Sequence, residues 1–268
     1  MEKSIYLVGD SGEYNEHTYN IFNTINKDCK KDDSLVLLGD NFYPYGVSSE
    51  KDKLWKNISK INSKLPIYPI LGNHDYLMNP YAQIRHRSSK YKWCFPFFYY
   101  KLTINNFDLF FIDTCILQPN YSNLTEEILD SKIHNYKQER EDMINWLVNG
   151  LSKSTRRKIV LGHYPIVSVG LYGFNLELYK MLIDIFKKYN VEMYVSGHDH
   201  NLQIHNVKTD NYTFKHLVSG SASSIYKCNN TNNIFFKHGY IKLVTEYSQQ
   251  LQIIFYDEYG SKIYSEIF

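Results

Sequence analysis

The stretch LVLLGDNFYPYG, residues 35–46, carries the pattern that decides the fold. Its first four residues are apolar and predict a short buried strand, and Gly39 allows a sharp turn where that strand ends. Asp40 follows directly and is either a metal ligand or a turn former. Tyr43 comes three positions later in a predicted loop, where packing gives no reason for a phenol.

The same arrangement, an apolar strand followed by glycine and a metal-binding side chain, recurs along the chain. The blocks are VGDSG (8–12), LLGDNFY (37–43), LGNHD (71–75), LGHYP (161–165) and SGHDHN (196–201). Each block alone is weak evidence for a metal site, because Gly-Asp in a turn is usually structural. Five such blocks in order, each after an apolar strand, make coincidence improbable. Since ligands in open α/β sheets bind at the strand ends, we expect these side chains to converge.

The blocks supply oxygen and nitrogen donors and no thiolate. The donors are Asp10, Asp40, Tyr43, Asn73, His74, His163, His198 and His200. This set exceeds the needs of one ion and suits two first-row metals. One of the two aspartates is needed as a carboxylate that bridges the ions. His198 and His200, separated by one residue at a strand end, can project to neighbouring positions.

Short apolar runs alternate with helical periodicity, which predicts sheets with helices packed outside in one domain over residues 1–268. The predicted strands are Ile5–Val8, Leu35–Leu38, Ile67–Leu71, a hairpin of Tyr99–Ile104 and Phe107–Ile112, Ile159–Leu161, Met193–Val195, Leu202–Val207, Phe214–Val218, Tyr240–Glu246 and a closing hairpin around 258–261. The predicted helices are 15–29, 50–63, 136–151 and 174–189. Residues 114–135 are polar and acidic and predict a long exposed loop, a feature that is often functional.

The composition argues against several classes of partner. Thirty basic and 28 acidic side chains leave a net charge of +2, too little to indicate binding to nucleic acid or a membrane surface. No apolar run approaches the roughly 20 residues of a membrane span. Because Ile5 already begins a strand, no signal peptide is predicted. We expect an intracellular monomer, or a secreted or lysosomal protein if a leader was removed.

Two further features leave alternatives open. The cysteines, Cys29, Cys94, Cys115 and Cys228, show no CxxC spacing; buried free thiols are favoured over one or two disulfides. The basic run Arg85, Arg87, Lys90 and Lys92 either attracts an anionic substrate or is a solvated face.

The ordered set GD-x-G, GD-x-x-Y, GNH(D/E), GH and GH-x-H resembles the metallophosphoesterase superfamily, and within it the purple acid phosphatases of the small tartrate-resistant type. The similarity extends to AQIRHRSSKYKWCFPFFYYKL (82–102), GHDHNLQ (197–203) and LVSGSAS (217–223), and so covers nearly the whole chain. It implies an α/β fold, a four-layer α/β/β/α sandwich of two mixed sheets, with the site at the strand ends.

The resemblance also implies a binuclear centre of Fe(III) and a divalent metal (Fe, Zn or Mn). Its ferric ligands would be Asp10, Tyr43 and His200, its divalent ligands Asn73, His163 and His198, and its bridge Asp40 with a hydroxide. A ferric ion lowers the pKa of a phenol far below about 10, so Tyr43 would bind as a phenolate.

The implied activity is that of an acid phosphatase, which hydrolyses phosphomonoesters of small metabolites or phosphoproteins with a metal-bound hydroxide. His74 would contact the substrate and help protonate the leaving alkoxide, or act only as a hydrogen-bond partner. Tyr172 departs from the family pattern, since a second substrate histidine usually stands there. A neutral phenol is a weaker acid, so we expect a changed pH profile.

The sequence is also compatible with two other functions. A phosphodiesterase or nucleotide pyrophosphatase of the same superfamily is one, although Tyr43 argues against it. A catalytically inactive binding module is the other, but such proteins usually lose ligands and all seven positions are filled here. The 114–135 segment lies where the group carries a loop that restrains activity until proteolysis; a plain solvent loop fits equally well.

Overall fold

The computed structural model describes residues 2–61, 64–229, 233–245 and 250–268. Within these residues the strands form two mixed sheets that pack on one another through contacts between inner strands of each sheet. Helices cover the sheets, and together these layers confirm the predicted α/β sandwich.

The first sheet has six strands in the described residues. In spatial order they are β13 (Lys262–Ile267), β12 (Leu251–Asp257), β11 (Gly239–Thr245), β1 (Lys3–Val8), β2 (Ser34–Leu38) and β3 (Ile67–Ile70). β1, β2 and β3 are parallel, and the β2 strand predicted at 35–38 lies between the other two. β2 is buried along its whole length, as expected of a parallel strand covered on both faces.

The second sheet has seven strands in the described residues. In spatial order they are β10 (Ile234–Phe235), β8 (Leu202–Lys208), β9 (Thr213–Ser219), β7 (Met193–Ser196), β6 (Arg157–Leu161), β5 (Phe107–Phe111) and β4 (Tyr100–Ile104). β5, β6, β7 and β9 are parallel. In register, Phe111 pairs with Leu161 and Leu161 with Val195, so the carboxyl ends of these strands lie side by side.

Most of the helices occupy the crossovers between parallel strands. The helices are α1 (Glu16–Asp28), α2 (Trp55–Ile61), α3 (Pro80–Arg85), α4 (Thr114–Leu117), α5 (Glu126–Lys132), α6 (Tyr136–Lys153) and α7 (Leu176–Tyr189), with a short 3-10 helix at His74–Tyr76. Of these, α3 and the short 3-10 helix lie in the connection from the first sheet to the second. Side chains start several of them in the expected way: Asn15, for example, accepts a hydrogen bond from the Thr18 amide at the beginning of α1. No helix in the described part of the chain is long and apolar enough to cross a bilayer.

The prediction of a long exposed loop over 114–135 is wrong. Two short helices form there, α4 and α5, because Asp113 and Thr125 each accept hydrogen bonds from the first amides of the helix that follows. All four residues of α4 are buried. Four- and seven-residue helices are too short to show a helical period in sequence.

Other predictions are confirmed or refined. The predicted strands, hairpins and long helices are present with ends shifted by a few residues; predicted helix residues 62–63 and strand residue Glu246 lie outside the described residues. No disulfide forms among the described residues, which include all the cysteines, but only Cys115 is buried and the other three are half-buried.

Candidate metal centre

The predicted donors lie just beyond the carboxyl ends of parallel strands from both sheets. Asp10, Asp40 and His198 have left-handed backbones with φ of 58°, 51° and 66°. This conformation is uncommon for residues other than glycine and costs conformational energy. It turns the chain sharply at each strand end, so that the side chains face one common space.

A first group of donors surrounds the Tyr43 hydroxyl. It lies 3.0 Å from Asp40 Oδ2, 3.2 Å from Asp10 Oδ1 and 3.2 Å from His200 Nε2. His200 Nε2 is also 3.4 Å from Asp10 Oδ1. Burial and the two carboxylates raise the pKa of Tyr43 well above its usual value. A cation among these atoms would act in the opposite direction and favour the phenolate.

A second group surrounds His163 Nε2. This atom lies 3.1 Å from Asn73 Oδ1, 3.2 Å from His198 Nδ1 and 3.6 Å from Asp40 Oδ1. Because His163 Nδ1 donates to the Leu38 carbonyl at 2.8 Å, Nε2 of the neutral ring carries a lone pair that faces the amide oxygen of Asn73. Two acceptors that face each other fit a cation between them, so these residues suit a metal.

The burial of this second group supports the same conclusion. Burial and the neighbouring His163 lower the pKa of His198 well below its usual value. The neutral imidazole, which can bind a metal, is therefore favoured over the protonated one. Ligand atoms of Asp40, His163 and His198 all lie within 4.8 Å of one another. Neutral imidazoles and a carboxylate in this arrangement can hold a metal ion.

Hydrogen bonds to neighbouring side chains orient the donors. Asn123 Oδ1 accepts from Asn73 Nδ2 at 2.7 Å, which turns the Asn73 oxygen towards His163. Ser224 hydrogen-bonds to His200 Nδ1 and leaves its Nε2 towards Asp10 and Tyr43. Such partners fix ring orientation in metal sites.

Asp75 joins the loops that carry two of the donors. Its carboxylate accepts hydrogen bonds from the amides of Asn41, Phe42 and Gly72 and from Gln83 Nε2 at 2.8–3.2 Å. Burial, together with the Asp40 carboxylate, raises the pKa of Asp75 to about 7. The loop after β2 is thereby tied to the loop after β3.

Most of the donors line a cavity of about 550 Å³, and the buried Asp10 and His163 lie behind them. Its described lining is Gly12, Glu13, Tyr14, Asp40, Tyr43, Pro44, Asn57, Asn73, His74, Tyr172, His198, His200, Ser223, Ser224 and Tyr226. His74 Nδ1 donates to the Pro44 carbonyl at 2.6 Å, and its Nε2 lies 4.0 Å from Asp40 Oδ2. The Tyr172 ring lies 4.1 Å from the His198 ring.

The structure therefore brings all nine predicted site residues to one place. Sequence reasoning missed Tyr226, whose ring stacks on His200 at 4.3 Å, and also Ser224 and Asn123. None of the three belongs to a donor pattern, so only the folded chain reveals them. The basic run at 85–92 does not contribute to the described lining of the cavity.

Comparison with known proteins agrees with this architecture. The model of the calcineurin-like phosphoesterase family matches residues 3–202. Purple acid phosphatase 3 of Arabidopsis thaliana is 31% identical over 252 residues, which cover 85% of this chain and 66% of that protein. Human tartrate-resistant acid phosphatase type 5 is 32% identical over 188 residues, covering 64% of this chain and 56% of that protein. The chain thus spans less than two thirds of these relatives.

A solved structure shows the same fold. The structure described as GAP50, the anchor in the inner membrane complex of Plasmodium, has a TM-score of 0.79 at 24% identity, covering 99% of this chain and 88% of that one. These matches confirm the resemblance drawn from the strand-end blocks. The chain belongs to the calcineurin-like phosphoesterase family, and its relatives there include purple and tartrate-resistant acid phosphatases.

Proposed function

We propose that this chain is a metal-dependent acid phosphatase that hydrolyses phosphomonoesters, of small metabolites or phosphoproteins, at a centre of Fe(III) and a divalent metal. The observation that carries the proposal is the position of Asp40 between the two donor groups. Its Oδ2 lies 3.0 Å from the Tyr43 hydroxyl, and its Oδ1 lies 3.6 Å from His163 Nε2. One carboxylate thus lies close to both groups, which supports its assignment as the bridging ligand.

The chemistry of the two groups differs in a way that suits two different ions. Asp10, Tyr43 and His200 would hold the ferric ion, because a carboxylate and a phenolate are hard anionic donors. The neutral donors Asn73, His163 and His198 would hold Fe(II), Zn or Mn. Bound there, the two metals would supply an activated water and positive charge next to the phosphoryl group.

The chain's own side chains would handle the leaving group. The Nδ1 proton of His74 is donated to the Pro44 carbonyl, so a protonated ring presents its second proton on Nε2, on the cavity side. From there it can protonate the departing alkoxide. Burial raises the pKa of Tyr172, so its hydroxyl would stay neutral at acid and neutral pH and could donate a hydrogen bond to a phosphoryl group.

Two other functions are distinguished from this one by the experiment described below. A phosphodiesterase or pyrophosphatase would use the same donors on a different ester. A binding module would bind a partner without catalysis; the similar Plasmodium structure is described as an anchor. Against the latter stands the convergence of all seven donors.

The test is hydrolysis of 4-nitrophenyl phosphate and of bis(4-nitrophenyl) phosphate by the purified chain, with metal analysis of the same sample. We expect the monoester to have a kcat/KM at least about 100-fold above that of the diester. Preference for the diester would establish the phosphodiesterase alternative. No turnover of either ester with both metals bound would overturn the proposal in favour of a binding module.

A further inference from the structure

The charge of the cavity lining is unusual for a site that takes an anion. Among its described residues there is no lysine or arginine, and the formally charged side chains are the acids Glu13 and Asp40. Glu13 is exposed at the rim. Lys60 approaches, but its ammonium lies 5.3 Å from the Tyr14 ring centroid, on that ring rather than in the lining. A second negative charge on the organic group of a substrate, placed away from the metal donors, would meet the repulsion of Glu13 and no lysine or arginine of the described lining.

The uncharged part of the lining is aromatic. Tyr226 stacks on His200 with an interplanar angle of 14° and is 41% exposed. Tyr172 covers His198 with an angle of 34°. Tyr14 is held by a hydrogen bond from its hydroxyl to the Lys60 carbonyl at 3.0 Å. Each ring is thus fixed on one side by the protein and contributes to the cavity wall.

The positions of these rings place them beside the phosphoryl site. Tyr172 and Tyr226 cover the two histidines of a single His-x-His block, which are themselves among the predicted metal ligands. An ester whose phosphoryl group lies at the donors would extend its organic group between or against these rings. Each such contact with a ring should tighten the binding of a flat aromatic group by about 2- to 13-fold, beyond the effect of burying its apolar surface.

We infer that the cavity selects phosphomonoesters with an aryl or arylmethyl group and no second negative charge, with Tyr172 and Tyr226 as the residues that determine this specificity. This inference rests on the proposed function for its reaction, but the selection itself is a property of binding. Nucleoside di- and triphosphates and acidic phosphopeptides are disfavoured substrates.

Binding is the direct test, because phosphonates have a C–P bond that is not hydrolysed. Calorimetric titration of the metal-loaded chain should give a Kd for benzylphosphonate about tenfold lower than for butylphosphonate. Tyr172→Ala and Tyr226→Ala should each reduce this ratio to about threefold, whereas the two Phe variants should keep it. Tyr259→Ala, an exposed tyrosine outside this lining, is the matched control. Metal content is measured in every variant, so that loss of a ring is separated from loss of a metal.

The effect of a second negative charge on ligand affinity is measured separately. A carboxyl group on the ring, as in 4-carboxybenzylphosphonate, should weaken binding several-fold, and Glu13→Gln should recover about half of that loss on a logarithmic scale. An equal loss in the wild-type chain and in Glu13→Gln would overturn the role of Glu13.

The two proposals fail in different ways. Equal affinity of the wild-type chain for benzyl- and butylphosphonate overturns the inference even if the variants do not fold. If benzyl and butyl phosphate, whose alcohols have similar acidity, are then hydrolysed with equal kcat/KM, the phosphatase proposal still stands. A tenfold preference in binding without any hydrolysis supports the subsite and overturns the phosphatase.

Discussion

The two sheets contribute different chemistry to the same site. The strand ends of the first sheet provide oxygen donors, namely Asp10, Asp40, Tyr43 and Asn73, and those of the second provide imidazoles, namely His163, His198 and His200. All negative charge among the predicted ligands thus comes from one sheet. Each of the two donor groups combines residues from both sheets, so the site is complete only where the sheets meet.

From this difference we predict that Asp40 contributes more to the site than its neighbours. It lies at the end of an inner strand of the first sheet, and its Oδ1 is 3.6 Å from His163 Nε2 of the second. A metal bound at these residues would link the sheets, so we expect metal binding to contribute to the stability of the sandwich as well as to catalysis.

The largest effect should follow from removing the charge of Asp40. Asp40→Asn keeps the shape, and asparagine tolerates the left-handed backbone at φ 51°. We expect loss of both metals and a fall in kcat of more than about 1,000-fold, measured by metal analysis and turnover of the same sample. Asp142→Asn, an exposed change on α6, is the control. Two metals retained in Asp40→Asn would contradict the bridging role.

A smaller effect is expected when the donors are kept and only proton transfer is lost. His74→Gln should reduce kcat for benzyl phosphate by about 100-fold with metal content unchanged. For 4-nitrophenyl phosphate the reduction should be much smaller, because 4-nitrophenolate departs without protonation. Equal reductions for the two esters would show that His74 only positions the substrate.

Metal removal tests the link between the sheets. A ligand present at about 1,000 times its Kd stabilises a fold by about 4 kcal/mol, which for a chain of this size corresponds to a Tm shift of about 10 °C. We expect a chelator to lower the Tm of the wild-type chain by about this amount and to leave that of Asp40→Asn unchanged. A wild-type Tm that is insensitive to metal removal would show that the sheets do not depend on it.

The smallest expected effect is the pH dependence of stability that arises from His205, a residue of the second sheet. Burial lowers the pKa of His205 on β8 to about 4, below the value of about 6.5 in an unfolded chain. The unfolded state therefore takes up a proton first as the pH falls. The contribution of neutral His205 to stability is complete above pH ~6.5 and declines towards pH ~4, by up to about 1.4 kcal/mol per pH unit.

Urea unfolding at pH 7 and pH 5 measures this effect. His205→Gln, which keeps a donor for Gln203, should lose less stability between the two pH values than the wild type. The exposed His134→Gln is the matched control. If both variants lose as much as the wild type, His205 does not contribute to the acid sensitivity.

The sequence predicts the parts of the site that follow from strand ends. Asp40, Asn73 and His163 each stand within two residues of an apolar strand, and parallel strands bring such positions together. Tyr226 and Ser224 could not be predicted, because they lie in a loop after β9 whose path depends on tertiary packing. The helices at 114–135 were missed because capping by single side chains, rather than periodicity, produces them. The extent of the domain stays a prediction.

The most direct test of the central claim is the visible absorption spectrum of the purified chain with metal analysis of the same sample. Phenolate bound to Fe(III) gives a broad visible band, so we predict a pink to purple protein that contains iron. Tyr43→Phe should lose the colour. A protein that carries only Zn or Mn, and stays colourless after reconstitution with iron, would contradict the assignment of Tyr43 to a ferric site.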